Sequence, residues 1–429
     1  MQAVKPKLSG RRLWAIRLAM VAVSSFVGLL LADRIVGLVA QTSLRHRLRL
    51  APNLSYRHRS TEFDYVFHSN SRGLRGPEIP VARPPDTYRI AILGDSFVAG
   101  FGVADDEVMT ARLAGLLAGA NGASPETPDK STVPKRVQVI NLGRVGTSTI
   151  RELEVYETLG RPYRPDVVVL MFGVGNDLRE IVEEQDREEI RDWHPEGLVR
   201  RVAYALCPNL YLELAIWKQH RETRRRLGPR SEQELLAVVD QLARQHGTDP
   251  QLARRRYLGL PPEARTALEQ GMANDWQILP PCFDPSRLKR GLDPDDGYFQ
   301  TAWPRVERHL EMLRQAVAAA KLVVGVIPDA VQVDEDAYRF AESLGYQVEP
   351  AWMTRPCRTE QALQHWAEKA GVPYLDLTDE FRRSSVSLYY PKDGHFNPAG
   401  QAKAAEMLAR FLSQSGLLPT RGNTPPAQP

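Results

Sequence analysis

The sequence predicts an α/β protein: a three-layer α/β/α sandwich on a five-stranded parallel sheet, with a helical insertion and an N-terminal transmembrane helix. Three observations carry this. Five short, nearly continuous apolar runs recur along the chain, as strands buried on both faces require. Helical patterns separate them, and one gap of about 145 residues is far longer than a crossover needs. Finally, an apolar stretch near the start is long enough for a bilayer.

Residues 13–40, "LWAIRLAMVAVSSFVGLLLADRIVGLVA", follow Lys5, Lys7, Arg11 and Arg12. Their uninterrupted heart, 18–32, is short for a span. A snorkelling Arg17 and the preceding turn extend it to the ~20 residues a bilayer demands. A cleaved signal peptide is the alternative. In both Leu30-Leu31-Ala32 and Leu38-Val39-Ala40 leucine stands where a small residue belongs, which favours an uncleaved anchor. Residues 1–12 then form a short cytoplasmic tail. The expected location is the cell membrane, single-pass, with the large domain on the extracytoplasmic side. Arg45, Arg47, Arg49, Arg57 and Arg59 load the far side with charge and weigh against that orientation.

Residues 41–87 read as a linker and N-terminal wrap. Residues 45–59 are basic and poorly patterned, whereas "EFDYVFH" (62–68) places Phe63, Tyr65 and Phe67 on one face of a half-buried strand. "NSRGLRGPEIP" (70–80) is turn-rich. The α/β domain spans 88–416, with strands expected at 88–93, 137–142, 167–172, 322–327 and 374–377. Helical patterns cover 108–117, 149–159, 306–320 and 360–370. A last helix starts with Asn397 as cap and Pro398 in its first turn, and Gly416 ends it. The insertion, 178–305, holds a helix opened by the Ser231/Glu234 capping box, striped by Leu235, Val238, Val239 and Leu242, and closed by Gly247. Residues 198–217 give a second, aromatic-bearing helical pattern. The insertion is either a lid over the sheet's carboxyl edge or a surface elaboration. Residues 417–429 are a Pro-rich, disordered tail.

The composition, 43% apolar and 25% charged, suits a protein with a real core. A net charge of +4 from scattered arginines, of which Arg224-Arg225-Arg226 is the richest run, excludes a concentrated nucleic-acid face. Cys207, Cys282 and Cys357 lack metal-ligand spacing; Cys282 and Cys357 pair, or all three are buried thiols. No cofactor and no metal are implied.

Four segments fall at or just past strand ends: Gly94-Asp95-Ser96; "NLGRVGTST" (141–149); "FGVGNDL" (172–178); and "YYPKDGHFNPAG" (389–400). Their chemistry is complementary. Ser96 is a weak nucleophile that needs a base, which His395 supplies as a neutral imidazole. Asp393, two residues earlier, lies on the same side of an extended segment and orients and balances that imidazole. A tetrahedral intermediate needs donors for its oxygen: the Ser96 N–H, a glycine N–H of the second segment, and the Asn176 amide. Read singly, Ser96 could be only a helix cap and His395 a structural histidine. Val98 stands where the second glycine of a G-x-S-x-G elbow would, against that rival design.

With these blocks in this order, the chain resembles the SGNH hydrolases, the GDSL esterase/lipase superfamily, from about residue 88 to 412. The resemblance implies a flavodoxin-like fold, Ser96 as nucleophile, Gly146 rather than Gly143 as oxyanion glycine, Asn176 as the third-block asparagine, and Asp393 with His395 as the last pair. Two departures stand out. Val174 occupies the usual glycine position of Gly-x-Asn-Asp, and the common Asp-x-x-His is shortened to Asp393-Gly394-His395. The tighter spacing is similar to SGNH domains of bacterial polysaccharide O-acetylation proteins, many of them membrane-tethered.

The expected function is a serine esterase cleaving a carboxylic ester, with an O-acyl or O-acetyl group on a small molecule or carbohydrate. The alternatives are an O-acetyltransferase for an envelope or secreted polysaccharide, partnered by a multispanning membrane acyltransferase, and a silent carbohydrate-binding domain. Trp193, Trp217, Tyr389 and Tyr390 are candidates for stacking on sugar rings, against core packing.

Overall fold

The structure, a computed structural model, describes residues 10–40, 52–120, 136–183, 197–226 and 228–418. It falls into two compact units, one of residues 1–50 with 188–224 and one of 51–187 with 225–429. The larger unit opens with an antiparallel hairpin of β1 (Ser55–Arg59) and β2 (Asp64–His68). Its main sheet has five parallel strands, β3 (Thr87–Gly94), β4 (Arg136–Asn141), β5 (Val167–Gly173), β6 (Lys321–Ile327) and β7 (Tyr374–Asp376). They lie in the order β4-β3-β5-β6-β7. Ile90 sits opposite both Val139 and Val167, and Val324 opposite Tyr374.

Burial explains the composition of these strands. Every residue of β3 and β5 is buried, so no polar alternation survives and the runs read as unbroken apolar stretches. Ile90, Ile92, Val167, Val169, Met171 and Val323 join helical residues such as Met109, Leu113 and Leu408 in one core. Burying each such aliphatic side chain contributes about 1.5–3 kcal/mol. Arg89 is the exception in β3, and it is fully hydrogen-bonded. Its guanidinium donates to the carbonyls of Pro80 (2.7 Å), Val81 (2.9 Å) and Tyr163 (2.7 Å), tying the N-terminal wrap to the sheet.

The first sheet strand, β3, lies inside the sheet with β4 on one side and β5 on the other. The chain therefore winds in opposite directions from it, and a crevice opens beyond its carboxyl end. The last helix, Pro398–Gln414, begins as expected: Asn397 Oδ1 accepts the N–H groups of Ala399 and Gly400 at 2.9 and 3.0 Å. Its buried Gln401 accepts the Met109 N–H at 2.8 Å and donates to the Phe97 carbonyl at 3.0 Å, bracing the segment that follows β3.

Several local expectations are corrected. Part of the basic stretch assigned to linker is β1, because β2 supplies the ladder partners that its own sequence, Ser55-Tyr-Arg-His-Arg59, does not advertise. The helix expected at 306–320 begins at Asp296, capped by Asp295, with Pro304 accommodated inside it. The pattern at 149–159 is helical to Val155 and then widens into a π turn, Tyr156–Gly160. The 198–217 pattern is two helices, Leu198–Leu206 and Pro208–Arg226. Proline offers no N–H and disfavours helix in the residue before it, so the break falls at Cys207. All three cysteines are free thiols, and burial pushes the Cys282 thiol up to about 12. Helix Gly10–Ala40 is continuous, and Arg11–Val39 within it is long and apolar enough to cross a membrane, its most apolar 18-residue window having a mean hydropathy of 2.1. Most of the tail expected at 417–429, from residue 419 on, lies outside the described residues, as does Trp193.

Candidate active site

The segment after β3 is shaped by its own residues. Gly94 has φ 153°, and a Cβ there would stand 2.5 Å from Val98 Cγ2 and 2.9 Å from the Met171 carbonyl oxygen. Only glycine lets the chain leave the sheet along this path. Asp95, not Ser96, caps the short helix Ser96–Ala99: its Oδ1 accepts the Phe97 N–H at 2.9 Å. The Ser96 hydroxyl is thereby left to point at a different partner. Gly100, at φ 73°, ends the helix.

That partner arrives from the last block. Tyr389 and Phe396 pair as an isolated bridge, and the Tyr390 N–H donates to the His395 carbonyl at 2.8 Å. The Gly394 N–H donates to the Tyr390 carbonyl at 2.7 Å, with Gly394 at φ 82°. Asp393 and His395 therefore do not share an extended segment, as the sequence suggested. A left-handed glycine folds the chain so that the carboxylate and the imidazole meet.

His395 Nε2 lies 2.8 Å from Ser96 Oγ, and His395 Nδ1 lies 2.5 Å from Asp393 Oδ1. With Nδ1–H donating to the carboxylate, the Nε2 lone pair faces the serine hydroxyl. Burial pulls the imidazole pKa down. The Asp393 carboxylate, by charge and hydrogen bond, and then Asp95 and Asp329, outweigh burial, and His395 titrates above its ordinary value. The rings of Phe97 and Phe101, 5.3 and 4.5 Å from the imidazole between centroids, flank it.

Asn176 Nδ2 donates to Asp95 Oδ2 at 2.7 Å, so the first and third blocks lock together beside the serine. Burial raises the Asp95 pKa against this bond and the one from Phe97. The glycines either side of Val174 explain the departure from Gly-x-Asn-Asp. A Cβ on Gly173 would meet Asn176 Oδ1 at 2.4 Å, and one on Gly175 would meet Asp329 Oδ2 at 2.0 Å. Val174 itself is fully buried. The two glycines of the second block also differ. Gly143 has no room for a Cβ, which would stand 2.3 Å from the Ala99 nitrogen, and its N–H is taken by Asn141 Oδ1 at 2.9 Å. Gly146 is exposed at φ 66°, with open space on its Cβ side.

Four residues escaped the sequence reading. Asn274, buried and carried by the insertion, donates through Nδ2 to Asp393 Oδ2. Glu62, from the loop before β2, accepts the Asp393 N–H at 2.8 Å and also the Lys392 N–H. Trp276, 45% exposed, packs its ring 5.8 Å from Phe101. Asp329 follows Pro328 at the end of β6, where the logic applied to the other strand ends would have found it. Asn274 and Trp276 had no such signal, because nothing local in the insertion marks which residue reaches the sheet edge. Among the earlier aromatic candidates, Tyr389 is buried with its hydroxyl on the Pro328 carbonyl, and Tyr390 donates to the Gly102 carbonyl. Trp217 belongs to the smaller unit. Among the described residues no group of three His, Cys, Asp or Glu side chains is placed to hold a metal ion.

Residues 92–403 match the family model of the GDSL-like lipase/acylhydrolases. Among curated proteins none matches by sequence. Solved structures similar to the chain include the lipase/acylhydrolase from Enterococcus faecalis, at 11% identity over 79% of this chain and 100% of that one, with a TM-score of 0.35. A catalytic mutant of Axe2, an acetylxylan esterase from Geobacillus stearothermophilus, matches at 11% identity over 76% and 94%, TM-score 0.34. A two-domain esterase, CEX, active on acetylated mannans, matches at 10% identity over 80% and 53%, TM-score 0.36. The family model alone carries the assignment. With most of its length matched, the chain belongs to the GDSL-like lipase/acylhydrolase family and is an ester-hydrolysing enzyme.

Proposed function

We propose that the chain is a membrane-anchored serine esterase that removes O-acyl groups, acetyl foremost, from a carbohydrate through an acyl-serine intermediate. The observation that carries the reading is the unbroken line from Ser96 Oγ to His395 Nε2 (2.8 Å) and from His395 Nδ1 to Asp393 Oδ1 (2.5 Å). Ser96 Oγ bonds to the ester carbonyl carbon as its proton passes to Nε2. The Ser96 and Gly146 N–H groups and Asn176 Nδ2 hold the negative oxygen. His395 returns the proton to the leaving alcohol, the C–O bond breaks, and water repeats the sequence to free the acid. Trp276, half exposed beside Phe101, offers a flat apolar surface of the kind sugar rings stack on. Residues 10–40 hold the enzyme in the membrane, with the large domain on the extracytoplasmic side.

A fluorophosphonate probe tests this directly. It is expected to label the wild-type chain and not Ser96→Ala; labelling of neither overturns the acyl-serine reading and leaves a silent binding domain. A second reading, transfer of the acyl group to a sugar hydroxyl, is favoured by the Asp393-Gly394-His395 spacing and the membrane-length helix. Its donor would come from a multispanning membrane acyltransferase. Turnover of p-nitrophenyl acetate that rises with added oligosaccharide, with acetylated sugar formed, would replace hydrolysis by transfer.

A further inference from the structure

Helix Leu198–Leu206, in the first part of the insertion, buries none of its residues. Leu198, Val199, Val202 and Leu206 are 78, 83, 49 and 42% exposed. Their spacing, i, i+1, i+4 and i+8, puts all four on one face, while Arg200 and Arg201 fall on the other. The next helix, Pro208–Arg226, adds exposed Leu214 and Trp217, with the Arg221 guanidinium 5.6 Å from the Trp217 ring centroid. In water such a continuous apolar face is unfavourable and marks a surface that something covers.

What covers it follows from where the segment is fastened. Residues 188–224 form one compact unit with the N-terminal helix. The joint is Asp33, the one fully buried carboxylate of that helix. Its Oδ1 accepts the Leu210 N–H at 2.9 Å and its Oδ2 accepts Asn209 Nδ2 at 3.0 Å. It thus satisfies an unpaired amide in the first turn of Pro208–Arg226, a cap supplied by another helix. One turn further on, a Cβ at Gly37 would stand 2.4 Å from Asn209 Cγ, so any side chain there would push the Asn209 amide off its present position against Asp33. Asp33 directly follows Ala32, the last residue of the uninterrupted apolar run. The amphipathic helix is therefore pinned at one end of the span, where hydrocarbon gives way to headgroups.

We infer that Leu198–Leu206, continued by Leu214 and Trp217, lies in the headgroup–acyl boundary of the bilayer that the apolar run ending at Ala32 crosses. This inference rests on the anchor reading above. At about 13 Å the helix is too short to cross a ~30 Å hydrocarbon core and suited to lying along its surface. An apolar face opposed by arginines is the pattern of interfacial helices, and Arg200 and Arg201 fit anionic headgroups. The Asp33 joint then fixes the first part of the insertion to the membrane surface as well as to the anchor.

The test uses the full chain, with Cys207→Ser, reconstituted in phosphatidylcholine–phosphatidylglycerol vesicles and carrying one nitroxide at Val199→Cys, Val202→Cys, Arg201→Cys or Val23→Cys. Collision rates with oxygen and with a water-soluble nickel chelate report depth. Positions 199 and 202 are expected to favour oxygen severalfold over position 201, with 23 deepest. Positions 199 and 202 as nickel-accessible as 201, with 23 in lipid, would overturn the interfacial helix and spare the anchor. Shielding of 199 and 202 from both reagents would mean that protein, a second copy or the rest of this chain, covers the face, and would also overturn it. Nickel access at 23 would remove the anchor and the inference together. Because both interfacial positions are exposed, cysteine there removes no packing, and agreement of the two guards against a single disturbed variant.

Discussion

The turn that carries Ser96 and the turn that carries Asp393 and His395 meet across one hydrogen bond, yet they are held in opposite ways. The first is shaped chiefly by its own residues: Gly94 gives the exit from β3, Asp95 caps the helix, and Gly100 closes it, with Asn176 and Gln401 adding bonds from outside. The second has its own glycine at 394 but depends on distant chain, with Glu62 on the Asp393 N–H 331 residues away in sequence and Asn274 on its carboxylate 119 residues away. A nucleophile needs only a sharp exit from the sheet, which local residues can build. A buried carboxylate needs donors on its oxygens, and a short loop cannot supply enough of them.

Breaking the second turn at its centre is expected to have the largest effect. Asp393→Asn should lower kcat by ~10⁴-fold, because the imidazole loses its tautomer and its counter-charge. Asp393 is also the chief influence raising the His395 pKa, so the acid limb of kcat/KM against pH should move to lower pH. Asn176→Ala comes next, with turnover reduced by ~10²–10³-fold. A near-wild-type rate there would remove Asn176 from the oxyanion site and leave it only as the partner of Asp95.

Asn274→Ala sharpens the comparison. Losing a hydrogen bond to a charged group is worth about 1.5–3 kcal/mol, which is ~10–100-fold in kcat. With the Asp393 charge still in place, the upward pull on the His395 pKa survives, so the acid limb should not fall as it does in Asp393→Asn. A near-wild-type kcat would mean that the second turn holds its carboxylate without help from the insertion. The smallest effect is expected for Gly394→Ala, where φ 82° strains any side chain by about 1–2 kcal/mol. Gly94→Ala should shift the urea midpoint further, since its Cβ would strike the Met171 carbonyl as well as Val98. Equal shifts would erase the distinction between the turns.

The same contrast governs what could be read from the letters. The buried strands announced themselves because burial on both faces removes every polar residue that might interrupt the run, and Arg89 was tolerable only because its donors are all used. The last helix was legible from Asn397 and Pro398, whose roles are fulfilled within four residues. β1 was not, since a strand of alternating arginines gains its order from β2. Nor was Asn274, whose role exists only once the insertion is folded against the loop 389–396. Asp329 was within reach and overlooked: it stands just past the end of β6 as Ser96 and Asn176 stand just past the ends of β3 and β5.

By itself the sequence determined the alternation of strands and helices, the capping of individual elements, and the order of four chemically matched segments, the first three of them at strand ends. These rest on periodicity and on hydrogen bonds between near neighbours. Tertiary structure alone decided that Ser96 and His395, 299 residues apart, come within 2.8 Å, that Asn274 completes the shell around Asp393, and that Asp33 caps a helix 177 residues further on. Such contacts depend on how whole layers pack, and no short window of residues contains the information that places them.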